Sequence, residues 1–128
     1  MRLDFDCIRD ILLVVESLSS VEDLVYYPDH WPKKSLKKFS DRSIRYHIRQ
    51  CIQEGFLLEP ENANFDYEDG IYITDLSYSG HAFLACIRKD TAFEKFKKAL
   101  LKLGNLSLNA AFSVASNLVS HSIIDGLF

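Results

Sequence analysis

Apolar residues recur every three to four positions in four long segments of the chain, and this spacing predicts amphipathic helices. The segments are 4–18, 41–54, a long region at 79–102 and a final one at 106–124. In the first segment, Leu13 and Val14 add apolar side chains outside the main stripe. A helix that is apolar nearly all round is buried, so this helix is expected to lie at the centre of the core.

Small polar residues and glycines mark where these helices begin and end. Ser40 is a good N-cap for the helix at 41–54, and Gly55 follows that helix as a stop signal. Ser77 or Ser79 can cap the long helical region at 79–102, and Gly104 ends it.

Shorter elements are predicted between the long helices. Residues 33–39 can form two helical turns that direct Leu36 and Phe39 inward and four lysines outward. Residues with strand propensity occur in three short runs, at 25–27, 56–58 and 71–73. The second and third runs are expected to pair as a β-hairpin around the polar loop at 59–69.

The order of these elements is helix, strand, short helix, helix, hairpin and further helices, which is the layout of a winged helix-turn-helix. The predicted fold class is therefore α+β. Residues 1–78 are expected to form a winged helix-turn-helix domain, with one small antiparallel sheet on a three-helix core. Residues 79–128 are expected to form a C-terminal helical extension that packs on this domain, giving a single compact unit.

Composition and cysteine content narrow the class of protein. The 128 residues are 48% hydrophobic, which is enough for one core and argues against disorder. Cys7, Cys51 and Cys86 are odd in number and far apart, as expected for reduced thiols in the cytoplasm. The opening segment contains Asp4 and Asp6, unlike a secretory signal, and no segment reads as an uninterrupted membrane span. These features predict a cytoplasmic protein with no membrane partner.

Charge is distributed unevenly along the chain. Residues 33–49 contain seven basic side chains and one acidic one, a balance of +6. The remaining eight basic and seventeen acidic residues give −9, which reproduces the total of −3. On the helix at 41–54, Arg42, Arg45 and Arg49 share one face because they are three and four positions apart.

This basic stretch is the candidate nucleic-acid-binding site. Arginine can form bidentate bonds with guanine, and lysines of the preceding helix can hold the phosphate backbone. The candidate residues, for double-stranded DNA above all, are Lys33, Lys34, Lys37, Lys38, Arg42, Arg45, Tyr46 and Arg49. The same face could instead bind an acidic protein surface or be simply solvated.

Two features leave other partners open. The loop at 59–69 carries five acidic side chains and no basic one, and DNA phosphates would repel it. This loop could face away from DNA, or contact the basic stretch at 33–49 of a second copy. Ala111 and Ala115 in the last helix permit close packing, either against the domain itself or in a homodimer seam.

No catalytic signature accompanies these features, so no enzymatic activity and no cofactor are expected. His47 and Cys51 are spaced as half of a metal site, but no second pair lies at ligand spacing, and no metal is expected. Cys51 lies on the apolar face, where a core thiol is the simpler interpretation. His81 is expected to make a structural hydrogen bond.

Several motifs resemble those of domain-of-unknown-function family 2513, small proteins from bacteria and their phages. Tyr46-His47 corresponds to the family's Tyr-His pair, and Glu54-Gly55-Phe56-Leu57 resembles its E-A-G-L-I element. The stretch at 73–84 resembles L-T-x-x-G-H-x-F-L, and 87–91 resembles I-R-D-D-T, although Lys89 replaces the usual acid. The resemblance implies the same fold and a phage or prophage origin, and it implies no activity.

Together these observations predict a non-enzymatic winged-helix protein of a phage or mobile element that binds nucleic acid or regulates transcription. The alternative is a protein–protein interaction module, for instance a phage factor that docks on a host protein. In that case the acidic loop at 59–69 and the apolar C-terminal helix would form the interface.

Overall fold

The computed structural model describes residues 1–20, 23–61 and 69–127, with side chains described as far as 121. Over these residues the chain forms helices and short strands, which confirms the α+β class. The helices are α1 (Phe5–Ser19), α2 (Lys33–Lys38), α3 (Asp41–Gln53), α4 (Tyr78–Ile87), α5 (Asp90–Leu103) and α6 (Leu108–Leu127). The strands are β1 (Val25–Tyr27), β2 (Leu57–Leu58), β3 (Ile71–Ile73) and β4 (Asp75–Leu76).

Side-chain caps begin the helices largely where the sequence predicts them. The Asp4 side chain accepts hydrogen bonds from two backbone N–H groups in the first turn of α1. Ser40 caps α3 by accepting from the Ser43 N–H at 3.1 Å, as predicted. Of the two serines proposed for α4, Ser77 is the cap, and Gly104 ends α5 with a φ of 82°.

The long helix predicted at 79–102 is divided into α4 and α5, a difference from the sequence prediction. Arg9 of α1 lies at the division. Its Nε donates to the Ile87 carbonyl oxygen at 2.9 Å, and its guanidinium also bonds the Arg88 carbonyl and the Asp90 carboxylate. A helix end leaves carbonyls without intrahelical partners. A side chain 78 positions away therefore satisfies the carbonyl that the break exposes.

The strands pair differently from the predicted hairpin. β3 pairs antiparallel with β1, with Tyr26 opposite Tyr72, and β2 pairs antiparallel with β4. The predicted pairing of 56–58 with 71–73 is therefore wrong. The single predicted sheet is also wrong, since the described residues form two two-stranded sheets. Burial gives the reason. Alternate residues of β1 and β3 are buried on one face, which pairing brings together over the core.

One hydrophobic core connects the N-terminal elements with the C-terminal helices. α1 buries residues on most of its circumference and is central, as predicted. Phe56 and Phe83 lie in this core with Phe96, and Phe112 packs against it. The boundary proposed at 78 marks no gap in this core, and the division into two parts stays a prediction.

Burial of side chains in α2 and α6 tests two predictions about which residues face the core. In α2, Leu36 is 38% exposed and Ser35 is buried instead, so the inward direction predicted for Leu36 is wrong. Phe39 does pack against the core. In α6, Ala111 and Ala115 are buried in the chain's own core, one of the two alternatives left open by the sequence. In the part of the chain that the structure describes, no helix has the length and apolar character needed to cross a membrane.

Candidate nucleic-acid interface

All four lysines of α2 are exposed. The helix begins after Pro32 and has six residues, of which Ser35 is buried. Lys37 and Lys38 lie in the last turn, where the helix dipole favours cations. α2 thus presents a dense group of ammonium groups to solvent.

α3 follows α2 closely and presents arginines on its solvent face. Its buried side consists of Ile44, His47, Ile48 and Cys51. Arg42 and Arg49, on the opposite side, are exposed. We call the six exposed residues the cationic surface; they are Lys33, Lys34, Lys37, Lys38, Arg42 and Arg49.

Arg45, a third candidate on α3, is held against the β1–β3 sheet. Its Nε lies 3.0 and 2.9 Å from the two carboxylate oxygens of Asp41, and its guanidinium lies 5.2 Å from the centre of the Tyr27 ring. The Tyr27 hydroxyl donates to Asp41 at 2.5 Å. This hydrogen bond, with Arg45 as a further cause, lowers the pKa of Asp41. Burial and the same carboxylate raise the pKa of Tyr27.

Tyr46 and His47 hold the start of the chain on α3. The Tyr46 hydroxyl donates to the Met1 carbonyl oxygen at 2.8 Å. His47 Nε2 accepts from the Asp4 N–H at 2.8 Å, and Nδ1 lies 2.7 Å from the Ser43 carbonyl oxygen. Because Nε2 faces a donor, Nδ1 carries the proton and donates to Ser43. His47 therefore connects two backbone segments inside the core.

Sequence reasoning missed this role of His47. The signal was available, since a histidine between Ile44 and Ile48 on the apolar face of α3 must find hydrogen-bond partners. Its partner Asp4, however, is 43 positions away in the chain, and nothing in the sequence pattern brings the two together.

The other residues considered for chemistry are the cysteines and His81. Cys51 is buried, and burial raises its pKa; burial also raises the pKa of Cys7 to about 12. Nε2 of His81, an exposed residue, lies 3.8 Å from Asp75. Among the described residues, no group of three histidines, cysteines or acids is placed to hold a metal ion. Of the acidic loop predicted at 59–69, residues 62–68 lie outside the described part of the chain.

Basic residues near α4 and α5 make ion pairs within the fold. Arg88 bonds both oxygens of Glu16 at 2.8 and 2.5 Å, which connects the end of α4 to α1. Lys97 of α5 lies 3.2 Å from Asp6 and 3.3 Å from Glu94. At least these two basic residues outside 33–49 therefore contribute to packing between helices.

The family described as Hypothetical protein (DUF2513) matches residues 2–106. The chain belongs to the DUF2513 family. No curated protein and no solved structure matches it. The resemblance inferred from the sequence motifs is thus confirmed.

The DUF2513 match encloses the whole cationic surface. It also encloses Arg45, the Tyr46-His47 pair and Gly80, and it ends two residues before α6 begins. In this DUF2513 protein, Tyr46-His47 anchors the N-terminal segment, so the geometry gives this motif a structural role.

The lowered carboxylate pKa values predict loss of stability in acid. The hydrogen bond from Arg88 lowers the pKa of Glu16 below its ordinary 4.5, and Asp41 is lowered from 3.8. Groups with a depressed folded pKa stabilise the fold above their unfolded pKa, and this contribution is lost as pH falls through the folded value. Urea unfolding is expected to show a falling free energy below about pH 4.5. Glu16→Gln should cost about 0.5–1 kcal/mol at pH 7 and flatten this dependence. Glu61→Gln, at an exposed site, is the control; an equal effect in both variants would contradict the assignment.

Proposed function

We propose that this DUF2513 protein is a non-enzymatic, winged-helix-like protein that binds nucleic acid through the cationic surface of α2 and α3, with double-stranded DNA as the preferred partner. The observation that carries the proposal is the exposure of six cations on two consecutive helices. They lie in a segment with a charge of +6 within a chain whose total is −3. Such a concentration of positive charge suits the phosphate backbone of a duplex.

The element order supports this assignment of roles. α1, β1, α2 and α3 precede β2, β3 and β4, and β3 returns to pair with β1. In a winged helix-turn-helix, the helix before the strands enters the major groove and the preceding helix crosses the backbone. On this basis, α3 would present Arg42 and Arg49 to base edges, and the four lysines of α2 would contact phosphates.

Arg45 and Tyr46 make contacts within the fold and are not assigned to the binding surface. Arg45 is engaged by Asp41 and the Tyr27 ring, and Tyr46 by the Met1 carbonyl. Using either side chain for nucleic acid would require breaking these contacts. The proposal rests on the cationic surface because its six residues are exposed, with Arg45 and Tyr46 acting as residues that position α3.

Equilibrium binding to a short fluorescent duplex of random sequence, measured across a salt series, tests the proposal. We expect a log–log slope of about −3 to −6, because each neutralised phosphate releases counterions. Lys34→Ala with Lys37→Ala should reduce the size of this slope by about 2. The matched control is Lys95→Ala with Lys98→Ala, two exposed lysines on α5 whose loss changes net charge equally.

Two outcomes would refute the proposal. One is an absence of binding at low salt. The other is an equal response of the α2 and α5 variants, which would mean that net charge alone governs binding. Either result would turn attention to a protein with an acidic surface as the partner of α2 and α3.

A further inference from the structure

The outer face of the β1–β3 sheet carries a pair of stacked tyrosines. Tyr26 and Tyr72 lie opposite each other in the register, with ring centres 4.4 Å apart and an interplanar angle of 33°. Their strand neighbours face the core, and Tyr72 is 49% exposed. An aromatic side chain so exposed on a two-stranded sheet offers a ring face to a partner.

Local contacts hold Tyr26 in place. Its hydroxyl donates to the Asp69 carbonyl oxygen at 3.0 Å, and its backbone N–H donates to His30 Nδ1 at 2.9 Å. Gly70 passes so close that a Cβ there would lie 2.3 Å from the Tyr26 hydroxyl oxygen. Because these contacts already order the ring, a ligand that stacks on the pair loses little free energy to ordering it.

Carboxylates dominate the charge around this pair. Asp29 lies three positions after Tyr26 in the chain and Asp69 three positions before Tyr72, and both are exposed. The pKa of the Tyr26 hydroxyl is raised, by desolvation first and then by Tyr72 and these two aspartates. Arg45 acts in the opposite sense, although its charge is balanced by Asp41. The surroundings favour a cationic ligand and disfavour phosphate.

An aromatic face beside carboxylates is the chemistry that recognises an organic cation. A guanidinium lies flat on an aromatic ring and is attracted by its π-electrons, and carboxylates strengthen the attraction. The same sheet already shows this arrangement on its inner side, where Arg45 lies over Tyr27. We infer that the Tyr26–Tyr72 face binds an arginine side chain of a basic segment in a partner protein. The Tyr26–Tyr72 face shares no residue with the cationic surface, and the inference does not rest on the proposed nucleic-acid function.

Titration of the full-length, 15N-labelled protein with the peptide acetyl-Gly-Arg-Gly-Arg-Gly-amide tests the inference, with amide shifts of 26, 30 and 72 as the readout. Replacing both arginines by citrulline keeps the shape of the side chain and removes its charge. We expect the citrulline peptide to bind more weakly by roughly threefold or more.

Variants of Tyr72 measure how much its aromatic ring contributes to peptide binding. Tyr72→Phe should bind the arginine peptide as the parent protein does, whereas Tyr72→Leu and Tyr72→Ala should bind roughly threefold more weakly or worse. Tyr78→Ala, at an 89% exposed position on α4, is the control for loss of a surface tyrosine. Tyr72→Leu keeps an apolar side chain on β3, so this variant is expected to fold. Its thermal unfolding is the check that the fold is intact.

Equal binding of the arginine and citrulline peptides would overturn the inference. So would unchanged binding by Tyr72→Leu. A third overturning result is Tyr72-dependent binding of oligothymidine without binding of the peptide, which would make the pair a base-stacking surface. The Lys34→Ala with Lys37→Ala variant should bind the arginine peptide normally, so failure here and failure of the proposed function are distinguishable.

Discussion

Gly80→Ala is expected to lower the free energy of unfolding by about 3 kcal/mol, because no space exists for a methyl group at this position. A Cβ at residue 80 would lie 2.1 Å from the Phe56 carbonyl oxygen and 3.1 Å from its carbonyl carbon. The backbone at 55–56 cannot easily withdraw, since Ser77 bonds the Phe56 oxygen at 3.0 Å and the Gly55 oxygen at 2.5 Å. Relief of the clash would therefore break hydrogen bonds that join the N-cap of α4 to the segment before β2.

Gly55→Ala is the matched control for this prediction. A Cβ at residue 55 would meet no atom within 4 Å, but its φ of 80° lies in the left-handed region. An alanine there should cost only about 1 kcal/mol, the conformational penalty of that region. Urea unfolding at neutral pH measures both variants. Equal losses would show that the close approach at Gly80 does not limit the packing of α4.

Phe83→Ala is expected to cost about 4 kcal/mol, the usual range for removing a buried phenylalanine. Phe83 is fully buried, and its ring centre lies 5.5–5.8 Å from those of Phe56, Phe96 and Phe112. These partners come from the segment before β2, from α5 and from α6. Loss of this one ring leaves a cavity where the C-terminal helices meet the N-terminal elements.

Thermal and urea unfolding of Phe83→Ala should show one cooperative transition at lower stability. Tyr78→Ala, on the same helix and 89% exposed, should change stability by less than about 0.5 kcal/mol. Similar losses in the two variants would refute the packing argument. A transition that separates into two steps would show that the C-terminal helices form their own folding unit.

The helices could be predicted because their signals are local. Apolar spacing predicts the four long helical segments, although it does not show the division between α4 and α5 at 88–89. Ser40 and Gly104 mark helix ends through their own chemistry. The family could be inferred for the same reason, because its motifs are short stretches of adjacent residues, and the match over 2–106 confirms it.

Strand pairing could not be predicted in the same way. Strands of two or three residues are too short for their apolar pattern to specify a partner. By strand propensity alone, the run at 71–73 could pair with 25–27 or with 56–58. Burial of Ile71 and Ile73 with Val25 and Tyr27 decided the pairing. At the division between α4 and α5, the partner of the Ile87 carbonyl oxygen is likewise distant in sequence, since it is Arg9 of α1.

The candidate site also combines features set by local sequence with features set by the packing of distant segments. The sequence by itself determined that seven cations lie close together at 33–49 and that three arginines share a helix face, since both follow from spacing. The Asp41–Arg45 ion pair also follows from spacing, because the two residues lie four positions apart on α3. Only the tertiary structure decided that Tyr27 joins this pair, that Met1 holds Tyr46, and that His47 joins Asp4 to α3. Charge and periodicity are properties of neighbours in the chain, whereas a hydrogen-bond partner or a shared core position depends on how distant segments pack.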